Sequence, residues 1–430
     1  MFAKFISMLK NKEIRKRILF TLAMLFVFRI GAAITVPGVD IDALKAGMGD
    51  SSFLSMLNML GGGALEQLSI FALGVSPYIT ASIVIQLLSM DVIPHLTELA
   101  KGGANGRKQM DRYTRYLAVV LSFVQAFTMM KAMSTKVTGL FGADTLATYL
   151  YVSILLTAGS MFLLWIGDRI SMSGIGNGIS IIIFAGIVAR MPAQFSSTLQ
   201  QLLGDAQGSA VFNGILMFGL YLLCYLGIIL LVVFMQMAER KIPIQYTSST
   251  VSTRRKDMTY LPLKINSASV IPVIFANAIM IAPITIASFF TQNDFTVAMN
   301  NWLGMQTWYS LVIYVILTIL FTFFYTKLQV DPEKIAENLG KSGTYIPGIR
   351  PGTETKQYVN KVLMRITVLG SLGLAFIAVL PHALPLFTNL PSSMGFGGTG
   401  LIIVVGVAME TVKQLEGQLT QKSYKGFIQR

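Results

Sequence analysis

The sequence predicts an all-α polytopic membrane protein with ten transmembrane helices in two inverted five-helix halves. Three observations carry that expectation. Of 430 residues 53% are hydrophobic and only 13% charged, where a soluble domain has roughly 25% charged. Ten apolar runs of about span length succeed one another, which suits a hydrocarbon core about 30 Å thick crossed by roughly 20 helical residues. Of 34 Lys and Arg, 29 fall in segments on one side of the membrane, 4 on the other, and Arg29 lies inside the first run. A split of that size obeys the positive-inside rule and places both termini in the cytoplasm. The net charge of +14 is therefore mostly a record of orientation.

The runs are continuous and apolar on all faces, which favours helices over the period-2 strands of a membrane barrel. In order they cover Ile18 to Val36, Leu68 to Leu88, Tyr116 to Met133, Ala147 to Ile166 and Ile175 to Met191. After the polar stretch Pro192 to Ala210 come Val211 to Met237, Ala268 to Phe290, Trp308 to Leu328, Ile366 to Leu386 and Phe396 to Val412. The first half is assigned to residues 1–192, an external hinge loop to 193–211 and the second half to 212–430. Because each half has an odd number of spans, the second enters the membrane inverted. Corresponding spans also share their interruptions. The fifth opens with Gly174-Ile-Gly-Asn-Gly178 and the tenth with Gly395-Phe-Gly-Gly-Thr-Gly400, while the second and seventh carry Pro77 and Pro272. Paired Gly- or Pro-marked spans point to where a transport protein works, although both residues also serve packing in membrane helices.

The single Cys224 and the two histidines, His95 and His382, exclude a disulfide framework, a structural zinc site or a haem pair. No cofactor is expected. Gly340-Lys341-Ser342 resembles the end of a phosphate-binding loop, but the first glycine of that motif would fall at Ile335. No Ser/His/Asp set suggests a membrane protease, so no catalytic residue is assigned. A coupled transporter needs carboxylates or histidines at membrane depth. Here Asp168, Glu239, Arg240 and Glu410 lie near span ends. Arg29 reads as a structural group reaching backbone carbonyls or water near the outer surface. What the marked spans do present is aliphatic: Val75 with Ile79 and Ile179 with Ile183, each pair at i and i+4. Such pairs are ordinary packing or part of a narrow collar that excludes water and ions by dewetting. At this level the chain is a channel or a transporter without a buried ionic site.

Two large cytoplasmic loops remain. Residues 238–266 carry Arg240, Lys241, Arg254, Arg255, Lys256 and Lys264, and residues 327–365 carry Tyr345-Ile-Pro347-Gly-Ile-Arg350-Pro351-Gly352. The two Pro-Gly turns hold Arg350 on a stiff tip. Such a tip loses little entropy on docking, and it suits a polyanionic partner such as ribosomal RNA as well as a plain solvated loop.

Longer strings then make the chain resemble the SecY family of bacterial protein translocons. They include Val27-Phe-Arg29-Ile-Gly31 with Val36-Pro-Gly38, Gly61-Gly-Gly-Ala-Leu65, and Ser69-Ile-Phe-Ala-Leu-Gly74 through Gln86-Leu-Leu88. Further on come Tyr113-Thr-Arg115-Tyr116, Gly174 through Gly186, Leu261-Pro-Leu-Lys264 with Val270-Ile-Pro272, and Ser342 through Gly352. The resemblance implies a clamshell around an hourglass pore that conducts unfolded secretory polypeptides and releases membrane segments sideways into lipid. It implies a constriction ring of Val75, Ile79, Ile179, Ile183, Ile274 and Ile403, with Val75 departing from the family's mostly isoleucine pattern. It makes residues 58–67 the plug, with Asn58, Gly61, Gly62, Gly63, Ala64 and Leu65. Gln86 and Asn277 would be amides of the lateral gate, and Arg254, Arg255, Lys256 and Arg350 docking residues. The implied partners are SecE, SecG, the SecA ATPase, the ribosome, signal-bearing polypeptides and membrane lipids. The alternative is a secondary transporter with inverted repeats, and an enzyme is not expected.

The charge asymmetry makes one prediction directly. In a Cys224→Ser background, a cysteine at position 294 should react with a membrane-impermeant thiol reagent added to intact cells, and a cysteine at 350 should not. Ready labelling at 350 with none at 294 would reverse the orientation.

Overall fold

A computed structural model describes residues 11–40, 67–89, 92–136, 145–203, 209–246, 259–287, 298–299, 302–304, 307–387 and 398–428. In chain order the elements are α1 (Lys12–Ala33), α2 (Ser76–Leu88), α3 (Pro94–Lys101), α4 (Gly103–Lys136), α5 (Leu146–Ser173), α6 (Gly178–Leu203) and α7 (Ser209–Met237). They continue with β1 (Glu239–Tyr246), β2 (Thr259–Lys264), α8 (Ile271–Ala287), α9 (Trp308–Gln329), α10 (Pro332–Lys341), β3 (Thr344–Tyr345), α11 (Thr353–Phe387) and α12 (Gly398–Ile428). Among the described residues each of the ten apolar runs contains a helix, the second being helical only from Ser76.

Among the described residues, five helical stretches are long and apolar enough to cross a membrane: Leu146–Ser173, Gly178–Gln200, Val211–Met237, Trp308–Lys341 and Thr353–Leu380. Ser76–Leu88 and Ile271–Met280 are shorter apolar helices, while α1, α4 and α12 run on into charged turns. Phe212, Leu216, Leu223, Leu230 and Phe234 of α7 are all exposed. A soluble surface does not carry so continuous an apolar face. In lipid it is ordinary, because tails are as apolar as leucine. The chain is a multi-pass membrane protein.

Helix starts obey capping chemistry. Asn11 accepts from the Glu13 N–H at 3.1 Å, and Asp331 accepts from the Glu333 and Lys334 N–H groups, with Pro332 next in the chain. Each such cap satisfies donors the helix itself leaves orphaned, contributing about 1 kcal/mol. α2 begins later than its apolar run, since Leu68 to Val75 are not helical. That stretch is held instead by β-like bonds, Val36 N–H to Leu68 C=O and Ile70 N–H to Ile34 C=O, both 3.0 Å. α6 continues through Pro192 to Leu203, so the beginning of the segment assigned to the hinge loop is helical.

The chain forms two compact units. One comprises Met1–Ile215, Met280–Gly304 and Val407–Arg430; the other comprises Leu216–Ile279 and Met305–Gly406. In the first, α4 packs along both α2 and α5, and Leu68, Met130, Met133, Val152 and Leu156 form a core almost without exposure. Methionines suit this place, because an unbranched thioether fills the irregular gap beside a non-helical segment.

The second unit carries a three-stranded antiparallel sheet in the order β2-β1-β3. β1 pairs Ile242 with Leu261 and Gln245 with Tyr345. Its side chains alternate, Ile242 and Ile244 buried and Lys241, Pro243 and Gln245 exposed, as a half-buried strand requires. Ile242, Leu263, Leu339, Ile346 and Val359 join the sheet, α10 and α11 in one apolar cluster.

Candidate functional site

Three groups of side chains carry the functional expectations, and the first is set by helix starts. Val75 is buried and occupies the N-cap position of α2, where its carbonyl accepts from the Ile79 N–H at 3.1 Å. Ile79 stands one turn on and is half-buried. Ile179 lies in the first turn of α6. That turn is capped by Asn177, whose Oδ1 accepts from Ile179 N–H at 3.1 Å and Ser180 N–H at 3.4 Å. Ile183, 5% exposed, stacks one turn further. In the second unit Ile274 is half-buried near the start of α8, and Ile403 is buried near the start of α12. All six aliphatic residues therefore stand at the N-cap or within the first two turns of their helices.

The two amides have different surroundings. Gln86 Nε2 donates to Ser82 Oγ at 3.2 Å on its own helix, while its Oε1 is buried with no hydrogen-bond partner among the described residues. Asn277, 3% exposed, faces the hydroxyl of Tyr314 on α9. A buried carbonyl oxygen without a donor is costly at membrane depth.

The third group is the loop tip. Arg350 is exposed, between Gly348 and Gly352, whose positive φ angles of 81° and 101° lie where side chains are strained. The tip is tied down from below. Thr355 Oγ1 donates to the Arg350 carbonyl at 2.8 Å, Thr344 Oγ1 donates to Leu339 C=O at 3.0 Å, and Ile346 sits in the sheet core. On the neighbouring helix α10 the carboxylates are already paired, Glu337 with Lys341 and Glu333 with Lys356, both at 2.6 Å. Arg350 has no ion-pair partner among the described residues, and Arg240 and Lys241 are exposed on β1. The result is a rigid platform with an outward positive charge.

The plug residues Asn58, Gly61, Gly62, Gly63, Ala64 and Leu65 lie outside the described residues, as do Arg254, Arg255 and Lys256. Sequence reasoning missed the sheet under Arg350. Its signal was available in the alternation of Lys241-Ile-Pro-Ile-Gln245 and of Tyr260 to Lys264, short but regular. Among the described residues no group of three or more His, Cys, Asp or Glu could hold a metal ion.

Against known proteins, the family model described as SecY matches residues 69–412. Curated relatives called protein translocase subunit SecY include that of Staphylococcus carnosus, 47% identical over 433 residues covering 99% of both chains. The Staphylococcus aureus relative is 46% identical over 98% of each chain. That of Mycoplasma capricolum is 44% identical over 96% of this chain and 89% of its own length. Among solved structures, one described as a protein conducting channel matches with a TM-score of 0.66 at 19% identity, covering 94% of this chain and 93% of that one. Sec61 in a canine ribosome-channel complex matches with a TM-score of 0.62 at 17% identity and the same coverage. At such identities the structural likeness shows the fold.

Proposed function

The chain belongs to the SecY family, and from that premise we propose that it is the channel through which unfolded secretory polypeptides cross the cytoplasmic membrane and from which transmembrane segments pass into lipid. The observation that carries this reading is identity of 44–47% to translocase subunits over nearly the whole chain. Both termini are assigned to the cytoplasm, and the two five-helix halves to either side of the 193–211 segment. Val75, Ile79, Ile179, Ile183, Ile274 and Ile403 are assigned to the constriction. A collar of such side chains resists wetting and so blocks ions, yet it offers no fixed geometry to which a passing chain would stick. The segment containing Gly61 to Gly63 is assigned to the plug, and Arg350 with Arg254, Arg255 and Lys256 to the docking of a motor ATPase or a ribosome. SecE and SecG are the expected membrane partners. Expression in a bacterium depleted of its own SecY tests the assignment: restored export of a secreted reporter is expected, and unaltered loss of export would contradict it.

The transporter alternative requires an ionisable group at membrane depth to bind a coupling ion. Among the residues whose side chains are described, no Asp, Glu, Lys, Arg or His is buried.

Gln86 and Asn277 are assigned to the lateral gate. An amide hydrogen bond between membrane helices contributes about 0.6–2 kcal/mol, enough to bias a closed state and small enough for an entering signal helix to displace. Gln86→Leu and Asn277→Leu should each shift the hydrophobicity a signal sequence needs for export. An unchanged threshold in both variants, at normal accumulation, would leave the amides as packing groups.

A further inference from the structure

The first unit's two aliphatic pairs sit on backbones that both end against one helix. Resting on the constriction reading above, we infer that α5 is a positioning spine, whose Ser160 and Ser171 fix the chain segments carrying Val75 with Ile79 and Ile179 with Ile183.

The upper seat is the non-helical approach to α2. Ser160 Oγ, buried, donates to the Gly74 carbonyl at 2.9 Å across 86 residues of sequence. Gly74 has φ 59° and immediately precedes Val75. Irregular backbone at membrane depth persists only where protein supplies its polar partners, and here α5 supplies one. Beside it, a Cβ added to Gly159 would lie 2.1 Å from the Ile70 carbonyl oxygen. Only a glycine lets α5 come this close.

The lower seat is the turn into α6. Ser171 Oγ accepts from the Gly178 N–H at 2.8 Å and donates to the Gly167 carbonyl at 3.0 Å. A single hydroxyl therefore relays between the last turns of α5 and the first residue of α6, immediately before Ile179. A Cβ at Gly167 would meet Ile179 Cγ1 at 3.1 Å, so the ring side chain rests on the spine itself. Thr21 of α1 braces the same turn, accepting from the Ile175 N–H at 3.1 Å.

Ser160, Gly167 and Ser171 are separated by seven and four residues, which puts them on one face. At 1.5 Å per residue the two hydroxyls stand about 16 Å apart along the helix. Half of the apolar window of α5 is buried, so this spacing is embedded in packing. The spine thus sets where the two aliphatic pairs of this unit stand along the membrane normal. Ser153 supplies an internal control: it lies on the same helix, is as fully buried, and its hydroxyl has no hydrogen-bond partner among the described residues.

The test is resting conductance of the full-length chain in planar bilayers, together with passage of a polypeptide whose signal sequence has been weakened. Ser160→Ala and Ser171→Ala should each raise the resting conductance about threefold to tenfold and relax signal selection, the scale of one lost interhelical hydrogen bond. Ser153→Ala should match the parent. Equal leak from Ser153→Ala would reduce the effect to general packing and overturn the spine. Parent-like conductance in Ser160→Ala and Ser171→Ala, while Ile183→Asn leaks, would overturn the spine and leave the constriction standing. A tight Ile183→Asn channel would remove the constriction and the spine with it. Should Ser160→Ala lower accumulation, the exposed Ser171 position decides the matter.

Discussion

Arg350→Glu is expected to lower motor-driven polypeptide transport by at least about tenfold, with the chain accumulating normally. The tip is rigid because Ile346 is anchored in the sheet core and Thr355 holds the Arg350 carbonyl. The guanidinium projects from it with no ion-pair partner among the described residues. Reversing the charge therefore removes a contact and adds repulsion toward any acidic docking surface, and about 1.4 kcal/mol is already a factor of ten. Nothing in the apolar core changes, so stability should stay within about 0.5 kcal/mol of the parent. ATP-dependent uptake into inverted vesicles checks this. A normal rate in a normally accumulating variant would remove Arg350 from docking.

Ile183→Asn should raise the resting ion leak about tenfold or more, because an amide placed in the proposed aliphatic constriction gives water a foothold and lowers the barrier that dewetting creates. Ile183 is 5% exposed. Its replacement also removes apolar packing, which by itself would lower accumulation and not open an ion path. Ile183→Leu keeps the apolar surface at nearly equal volume. Conductance close to the parent is expected for leucine and a clear leak for asparagine; equal conductance of the two variants would take Ile183 out of the seal.

Hydropathy made the spans legible, since ten apolar runs had nowhere else to go and each contains a helix among the described residues. It misplaced the start of α2. Leu68 to Gly74 is as apolar as α2 itself, and periodicity cannot register that Ile34, Val36 and Ser160 supply the bonds a helix would have supplied. The end of α6 was missed for the opposite reason, because Pro192 and the polar residues after it read as a loop although the helix continues to Leu203. The aliphatic pairs were visible as i, i+4 spacings, but the family likeness, not spacing, singled them out from packing stripes. The support beneath Arg350 depends on β1, β2 and β3 meeting α10 and α11 from three separate stretches of chain. The α5 spine depends on contacts across 86 residues for Ser160 and on a single hydroxyl for the turn into α6. The sheet has only the short alternation of its strands as a local signature, and the spine has none.

The chain conducts polypeptide. Reconstituting it with SecE, SecG and SecA in lipid vesicles and adding ATP with a signal-bearing secretory polypeptide measures this directly. The expected result is time-dependent protection of the polypeptide from external protease, lost when the vesicles are opened with detergent and absent for the same polypeptide lacking its signal. Vesicles that never protect the polypeptide, yet accumulate a small solute saturably against its gradient, would contradict the claim and establish a transporter.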